Sequence, residues 1–245
     1  MEKTYLVFDI ETIDESSLES RGEELREDDE GSPAKFPPIH RHKIVAIGAL
    51  WLSERCTFKK LGIFSEGKDE RAIVEDFNGF MTQKRPILVS FNGRRFDVPV
   101  IFLRSIKYGL AMDWHLRTQD YTRRYPPTRH LDLCDILADY GASGFTSLDN
   151  MAHLLGLPGK AEMDGSMVQA EFFRGNLAKI NGYCLADVVM TTCIFLRYSL
   201  VAGDLSPAEY AESLDSLVRG VREEKRMQGF ISETDLDPMR LPPAV

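Results

Sequence analysis

The order of strand-like and helix-like segments constrains the fold of this chain most strongly. Residues 4–8 are rich in β-branched and aromatic side chains and predict a buried strand, and residues 43–51 predict a second one. A weaker strand over 56–64, a helix over 68–81 and a short strand over 86–90 follow. This β-β-β-α-β order, followed mostly by helices, predicts an α/β fold in which a mixed sheet is flanked by helices.

The second half of the chain predicts helices. Residues 96–108 form an amphipathic pattern, and residues 177–200 are apolar nearly all round, as expected of a helix that is buried on most sides. Residues 206–209 read Ser-Pro-Ala-Glu, a capping box with proline at the first helical position, so a last helix should start there. Because no linker interrupts residues 44–230, we expect a single domain over residues 1–245.

Two segments differ in composition from the rest of this domain. Residues 14–43 are acidic and then rich in proline, which predicts a long, mobile insertion. Its acidic part, residues 14–30, carries nine acidic side chains against two arginines, and either screens the functional site as a polyanion mimic or is a solvated loop. Residues 206–245 predict the last helix followed by a loose, proline-rich tail.

Three short stretches place acidic side chains at the ends of strands or on helices. Asp9 and Glu11 follow the first strand, and the period of two puts both on one face if the extended conformation continues. Asp97 falls in the first turn of the amphipathic helix. Tyr183 and Asp187 are four residues apart on the long helix and therefore share a face. The three stretches together predict one site with four carboxylates and a phenol.

Such a set of groups suits the hydrolysis of phosphodiester bonds. Cleavage adds a nucleophile to an already negative phosphate, and two divalent cations roughly 3.5–4 Å apart can hold the attacking and leaving oxygens and offset the growing charge. Mg²⁺ and Mn²⁺ prefer oxygen ligands, which carboxylates from separate elements would supply. Each acid also has an ordinary alternative, since Asp9 and Glu11 could face solvent and Asp97 could be a first-turn acid of its helix.

The three stretches resemble the motifs of the DEDD superfamily of 3′–5′ exonucleases, whose domains have the ribonuclease H-like fold. Tyr183, four residues before Asp187, is similar to the tyrosine of the DEDDy branch. Further likeness lies in residues 157–160, 163–166, 183–188 and 196–197, which resemble the bacterial exonucleases related to the proofreading domain of family B DNA polymerases. The resemblance covers roughly residues 4–200 and leaves no room for a polymerase domain.

This resemblance implies roles for the five side chains. Two divalent metal ions, Mg²⁺ or Mn²⁺, would be held by the four carboxylates, those of Asp9, Glu11, Asp97 and Asp187. Tyr183 would orient or deprotonate the attacking water. Free tyrosine titrates near 10, so a role as base at neutral pH would need strong help from the cations, and orientation of the water is the safer expectation.

Five further residues are candidates for binding the substrate: Asn92, Arg94, Arg95, Phe96 and Lys160. Asn92 either begins an Asn-Gly turn, the usual role of that pair, or contacts the substrate backbone or holds Asp97. We expect at least one of Arg94 and Arg95 to contact a phosphate. Phe96 is either a core side chain or a platform for a base. Lys160 either lies near the substrate or pairs across a turn.

Charge and cysteine content bound the partners and the compartment. The net charge is −8, but residues 84–130 hold ten basic side chains against three acidic ones, which either bind a polyanion or form a solvated surface. The four cysteines include no C-x-x-C pair, and the N-terminus leads straight into a strand, so we expect free thiols, no signal peptide and a cytoplasmic location. We expect no membrane partner.

Three functions are compatible with these motifs. The first is a metal-dependent 3′–5′ exonuclease acting on single-stranded ends, with DNA favoured. The second is the same chemistry on RNA, because nothing in the sequence indicates a reader of the 2′-hydroxyl group. The third is a non-catalytic nucleic-acid-binding module, which would usually have lost a carboxylate; here all four are present.

Overall fold

The computed structural model describes residues 3–19, 36–158, 163, 165–232 and 234–242. One sheet contains five strands, β1 (Tyr5–Asp14), β2 (His42–Leu52), β3 (Phe58–Ile63), β4 (Ile87–Ser90) and β5 (His130–Asp132). Their order across the sheet is β3-β2-β1-β4-β5. Strands β1, β2 and β3 pair antiparallel, whereas β4 is parallel to β1 and to β5. The four predicted strands are present, and β5 was missed because three residues show no periodicity.

Helices lie on both faces of this sheet. The α-helices of the described residues are α1 (Ser16–Glu19), α2 (Glu70–Lys84), α3 (Asp97–Tyr108), α4 (Asp113–Leu116), α5 (Gln119–Thr122), α6 (Leu133–Leu137), α7 (Leu148–Leu154), α8 (Val168–Phe173), α9 (Leu177–Val201) and α10 (Pro207–Glu223). One buried cluster joins the sheet to α2 and α3, and another joins it to α9 and α10. The prediction of a ribonuclease H-like mixed sheet flanked by helices is confirmed.

Strand β1 extends beyond the predicted strand and carries the first two acids on the face that packs against α9. Val7 belongs to the core beneath α9, whereas Leu6 belongs to the core beneath α2 and α3. Alternation along the strand therefore places Asp9 and Glu11 on the α9 face. The pairing with β2 shifts register between Glu11 and Thr12. Such a bulge bends a strand and changes the direction of nearby side chains.

Helix α9 is the central core helix of the domain. The helix is 25 residues long, and an 18-residue stretch of it has a mean hydropathy of 1.6. By length and composition alone it could therefore cross a membrane, whereas we expected no such segment from the sequence. However, 78% of this 18-residue stretch is buried inside the protein, where α9 packs on β1, β2 and α10. The apolar surface of α9 is thus explained by the fold, as the pattern over 177–200 predicted.

The predicted insertion, residues 14–43, is shorter than expected at both ends. Asp14 is the last residue of β1, and β2 begins at His42. Arg41 Nε donates to Asp14 Oδ1 at 3.0 Å, so the two ends of the segment are tied to each other. Residues 20–35 lie outside the described residues, and the mobility of that part stays a prediction.

The predicted loose tail within residues 206–245 is wrong for the part that the structure describes. Helix α10 starts with the expected capping box. Beyond it, Leu236 and Met239 are completely buried. The main-chain carbonyl of Met239 accepts hydrogen bonds from Tyr210 Oη at 2.7 Å and from Arg197 Nη2 at 2.8 Å. Buried apolar side chains and a satisfied carbonyl hold this segment against α9 and α10 despite its prolines.

Candidate active site

Asp9 and Glu11 lie where β1 meets α9. One carboxylate oxygen from each and the Sγ atom of Cys184 all lie within 4.8 Å of one another. Gly48 of β2 pairs with Asp9, and a Cβ atom at Gly48 would be 2.8 Å from Cys184 Sγ. The glycine therefore permits the close approach of α9 that brings this helix against the two acids.

Cys184 is a neighbour of the acids that sequence reasoning missed. Its thiol lies 3.5 Å from the main-chain oxygen of Asp9 and is completely buried. Burial, helped by the charges of Asp9 and Glu11, raises the pKa of this thiol well above its ordinary value. The thiol is therefore protonated at neutral pH and is a poor partner for a hard cation. Its position directly after Tyr183 was the sequence signal for this contact.

Tyr183 and Asp187 face the same acids from α9. Tyr183 is 3% exposed and Asp187 is 8% exposed. Burial and the charges of Asp187, Glu11 and Asp9 together raise the pKa of Tyr183 far above its ordinary value, and a hydrogen bond with Asp187 contributes. The phenol consequently stays protonated at neutral pH and acts as a hydrogen-bond donor beside three carboxylates.

Asp97 joins the cluster from the first turn of α3. Its Oδ1 atom accepts a hydrogen bond at 3.2 Å from the main-chain nitrogen of Ile10, the residue between the two acids of β1. The turn before α3 is tight, because a Cβ atom at Gly93 would lie 2.5 Å from Ser90 Oγ and 3.6 Å from Asp97 Oδ2. Gly93 thus allows the chain to leave β4 and turn Asp97 toward β1.

Asp132, at the end of β5, is a second residue that sequence reasoning missed. Its carboxylate accepts hydrogen bonds at 2.9 Å from the main-chain nitrogens of Asn92 and Arg94 and at 3.1 Å from that of Cys134. It therefore holds the loop between β4 and α3 while capping α6. Its position directly after the short β5 offered little signal, since an Asp before a helix is usually only a cap.

Burial, helped by the charge of Asp132, raises the pKa of Asp97 to about 7 from an ordinary value of 3.8. Between these two values folding takes up a proton, so metal-free protein should lose stability as the pH rises from about 4 to about 7. We expect Asp97→Asn to raise the melting temperature in chelator at pH 8 and to raise it less at pH 5, where Asp97 of the folded protein is protonated, because the amide carries no charge at either pH.

Melting curves of the two proteins at both pH values measure this difference. Asp215→Asn is the matched control, because Asp215 is a half-exposed carboxylate of α10 that pairs with Arg240. A melting temperature for Asp97→Asn that falls below the wild-type value at pH 8 would contradict the electrostatic account of Asp97.

The donor set fits divalent metal ions that prefer oxygen. Asp9 and Glu11 from β1, Asp97 from α3 and Asp187 from α9 supply carboxylate oxygens from three separate elements. The negative charges of Asp187, Glu11 and Asp9, which raise the pKa of Tyr183, are those that bound cations would offset. The predicted members of the site, Tyr183 included, are therefore brought to one place.

Arg94 has a structural role and does not fit the predicted phosphate contact. Its guanidinium group donates to main-chain carbonyls of the α5 region and of β5, including those of Arg123 and His130, each at 2.8 Å. Burial lowers the pKa of Arg94, as expected of a guanidinium that is mostly enclosed by protein. Only Arg95 is left as the arginine of this pair that can contact substrate.

The other candidates have different surroundings. Asn92 is exposed and adopts a left-handed backbone with a φ of 66°, which is the turn role expected of an Asn-Gly pair. Phe96 is half-buried, and its ring contacts those of His42 and Phe36, with centroids 4.9 and 5.7 Å away. Lys160 lies outside the described residues, so its role stays a prediction.

Comparison with known proteins agrees with this arrangement. Residues 34–234 match the model of a family described as predicted 3′–5′ exonucleases related to the exonuclease domain of PolB. No curated protein matches the chain by sequence.

Two solved structures are among those to which the chain is similar. The family B DNA polymerase of the archaeon Pyrobaculum calidifontis superposes with a TM-score of 0.56 at 19% identity, over 94% of this chain and 30% of the polymerase. Exonuclease I of E. coli in complex with a 5cy-dT13 oligonucleotide has a TM-score of 0.39 at 14% identity, over 86% of this chain and 42% of that protein. The chain thus spans less than half of either protein.

Proposed function

Because the chain belongs to the family of predicted 3′–5′ exonucleases related to the exonuclease domain of PolB, we propose that it is a metal-dependent exonuclease that removes nucleotides from single-stranded 3′ ends. The observation that carries this proposal is the convergence of β1, α3 and α9 on one cluster, in which Ile10 hydrogen-bonds Asp97 and the charges of Asp9, Glu11 and Asp187 surround Tyr183. The preference for DNA rests on the relation of the family to a DNA polymerase.

Two divalent ions, Mg²⁺ or Mn²⁺, would be held by the four carboxylates, those of Asp9, Glu11, Asp97 and Asp187. When bound, they would hold the attacking and leaving oxygens of the phosphodiester and offset its growing negative charge. The like charges of Asp9, Glu11 and Asp187 surround the buried phenol of Tyr183, and their repulsion favours the binding of cations.

Tyr183 would orient the attacking water. In the metal-free protein its hydroxyl is a hydrogen-bond donor, because burial and the charges of Asp187, Glu11 and Asp9 strongly raise its pKa, and we therefore assign it the orientation of the water. A donated hydrogen bond fixes the water oxygen and directs one of its lone pairs toward the phosphorus. Asp132 supports this arrangement from a distance, since it holds the loop that carries Asp97. The predicted cytoplasmic location belongs to the same proposal and rests on the sequence alone.

Release of mononucleotides from matched single-stranded DNA and RNA oligomers tests the proposal. We expect release with Mg²⁺ or Mn²⁺ and none in excess chelator, because the carboxylates alone cannot offset charge on the phosphate. Ca²⁺ should support binding better than turnover, because its coordination is looser. Faster release from RNA would correct the substrate, tight binding without release would indicate a non-catalytic module, and full activity in chelator would exclude the mechanism.

A further inference from the structure

The loop after β4 and the two loops that flank β5 carry a group of aromatic and arginine side chains, all of them exposed except Tyr140, which is half-buried. We call it the Phe145 surface, and its residues are Arg95, Arg123, Tyr125, Tyr140 and Phe145. Phe145 is 43% exposed and Tyr125 is 75% exposed. The guanidinium carbon of Arg95 lies 3.9 Å from the centre of the Phe145 ring, and the rings of Tyr125 and Tyr140 lie 4.9 Å apart at 79°.

These rings contribute little to the folded core. Neither Phe145 nor Tyr125 belongs to a buried cluster of the described residues. An exposed cation–π pair is worth only about 0.5–1 kcal/mol. Burial therefore does not explain why three large aromatic side chains occur on one short stretch of surface.

The backbone beneath these rings is held in a sparsely populated conformation. Asp139 and Tyr140 have φ values of 47° and 55°, in the left-handed region that favours glycine, and Gly141 follows at 99°. Arg124 fixes this turn, because it pairs with Asp135 at 2.6 Å and also donates to the Tyr140 carbonyl at 3.4 Å. Two consecutive strained residues that are held in place from outside are typical of positions where a ligand is clamped.

Arg95 connects this surface to the acidic cluster along the chain. Arg95 is two residues before Asp97, so their Cα atoms are at most about 7 Å apart. On the other side, Phe145 is followed by Ser147, which caps α7, and α7 packs on α9, the helix that carries Asp187. A strand bound at the acids that continues along the loop before α3 would meet Arg95 and then Phe145.

Charge selects the kind of ligand. Arg95 and Arg123 form no salt bridge within the described part of the chain, whereas Arg124 is paired with Asp135. Residues 84–130 carry the excess of basic side chains in an otherwise acidic protein. A ligand for this surface must combine negative charge with flat apolar rings, and a single-stranded nucleic acid does so at every nucleotide.

We propose that the Phe145 surface is a stacking track for the single strand that leads into the active site, with a base on the free face of Phe145 and a phosphate near Arg95. The other ring pair, Tyr125 and Tyr140, takes bases farther from the 3′ end. This assignment rests on the proposed exonuclease function. Stacking of this kind tolerates any base, because every base has a flat face.

The test compares binding of a 5′-labelled oligothymidylate by fluorescence anisotropy, in an Asp187→Asn background that prevents degradation. We expect Phe145→Ala to weaken binding by about 5- to 150-fold, the range for one lost base–aromatic stack. Phe145→Trp should retain affinity, since it keeps a flat ring. Leu154→Ala, which removes a 75% exposed side chain from α7, is the control and should change nothing.

Salt dependence separates the ring from the charge. Arg95→Ala should reduce the slope of log affinity against log salt by about one phosphate contact, whereas Phe145→Ala should lower affinity at an unchanged slope. If Phe145→Ala binds the oligonucleotide as tightly as the Asp187→Asn protein does, the stacking track is wrong. The contact between Arg95 and Phe145 is then an ordinary surface contact.

Turnover by the wild-type protein keeps this test apart from that of the exonuclease function. If the wild-type protein degrades the oligonucleotide and Phe145→Ala leaves the affinity for it unchanged, only the stacking track is contradicted. If the wild-type protein does not degrade the oligonucleotide but Phe145→Ala clearly weakens binding, only the exonuclease function is contradicted. The Phe145 surface is then still a nucleic-acid-binding site.

Discussion

Asp187→Asn is expected to lower the rate of nucleotide release by on the order of 10³-fold or more, while the protein stays folded. Loss of an outer partner of a metal ligand typically costs about 10–100-fold, and loss of a ligand itself must cost more. The amide keeps the volume and shape of the side chain, which is almost fully buried on α9, but removes its charge. Rates and melting temperatures of the purified variant give both quantities.

The same loss is expected for Asp9→Ala, Glu11→Ala and Asp97→Ala, because each removes one of the four carboxylates. Asp215→Asn again serves as the control for a carboxylate without a catalytic role. A folded Asp9→Ala protein that degrades oligonucleotides at the wild-type rate would show that the cluster is not the active site.

Tyr183→Phe is expected to reduce turnover by about 10²–10⁴-fold with little change in substrate affinity, as is typical when a group that positions a proton-transfer partner is lost. The phenyl ring keeps the packing of a side chain that is 3% exposed, so the melting temperature should not fall. The melting temperature should rise slightly if burying the Tyr183 hydroxyl among the carboxylates destabilises the wild-type protein. Unchanged turnover in Tyr183→Phe would assign the tyrosine to the core.

Tyr183→His gives an independent check on the same residue. An imidazole can donate a hydrogen bond to water, so this variant should be more active than Tyr183→Phe, and its pH profile should shift downward because unperturbed histidine titrates near 6.5. If the tyrosine is only a core residue, the added polar ring should instead lower the melting temperature without a catalytic change beyond that loss of stability. The two variants together therefore distinguish orientation from packing.

The sequence predicted the parts of the fold that follow from periodicity. The strands of β1 and β2 and the buried helix α9 were predicted because alternation and apolar content act over many residues. Strand β5 and the packed segment around Met239 were missed because their order comes from tertiary contacts, namely parallel pairing with β4 and the hydrogen bonds from Tyr210 and Arg197.

The site shows the same division between local and tertiary information. Spacing predicted that Tyr183 and Asp187 share a helix face, but not that Cys184 would touch Asp9 or that Asp132 would hold the turn before Asp97. Arg94 and Arg95 are adjacent and chemically identical, yet one is enclosed by carbonyls and the other is exposed beside Phe145. Which of the two can contact substrate depends on the direction of the loop, which no local pattern specifies.

The most direct measurement is degradation of a 5′-labelled single-stranded oligonucleotide by wild-type protein and Asp187→Asn prepared side by side, with Mg²⁺ and with excess chelator. We expect a ladder of products that shortens from the 3′ end with wild-type protein and Mg²⁺, and intact oligonucleotide in the other three reactions. An identical ladder from Asp187→Asn, or a wild-type ladder in chelator, would contradict a metal-dependent site built on these carboxylates.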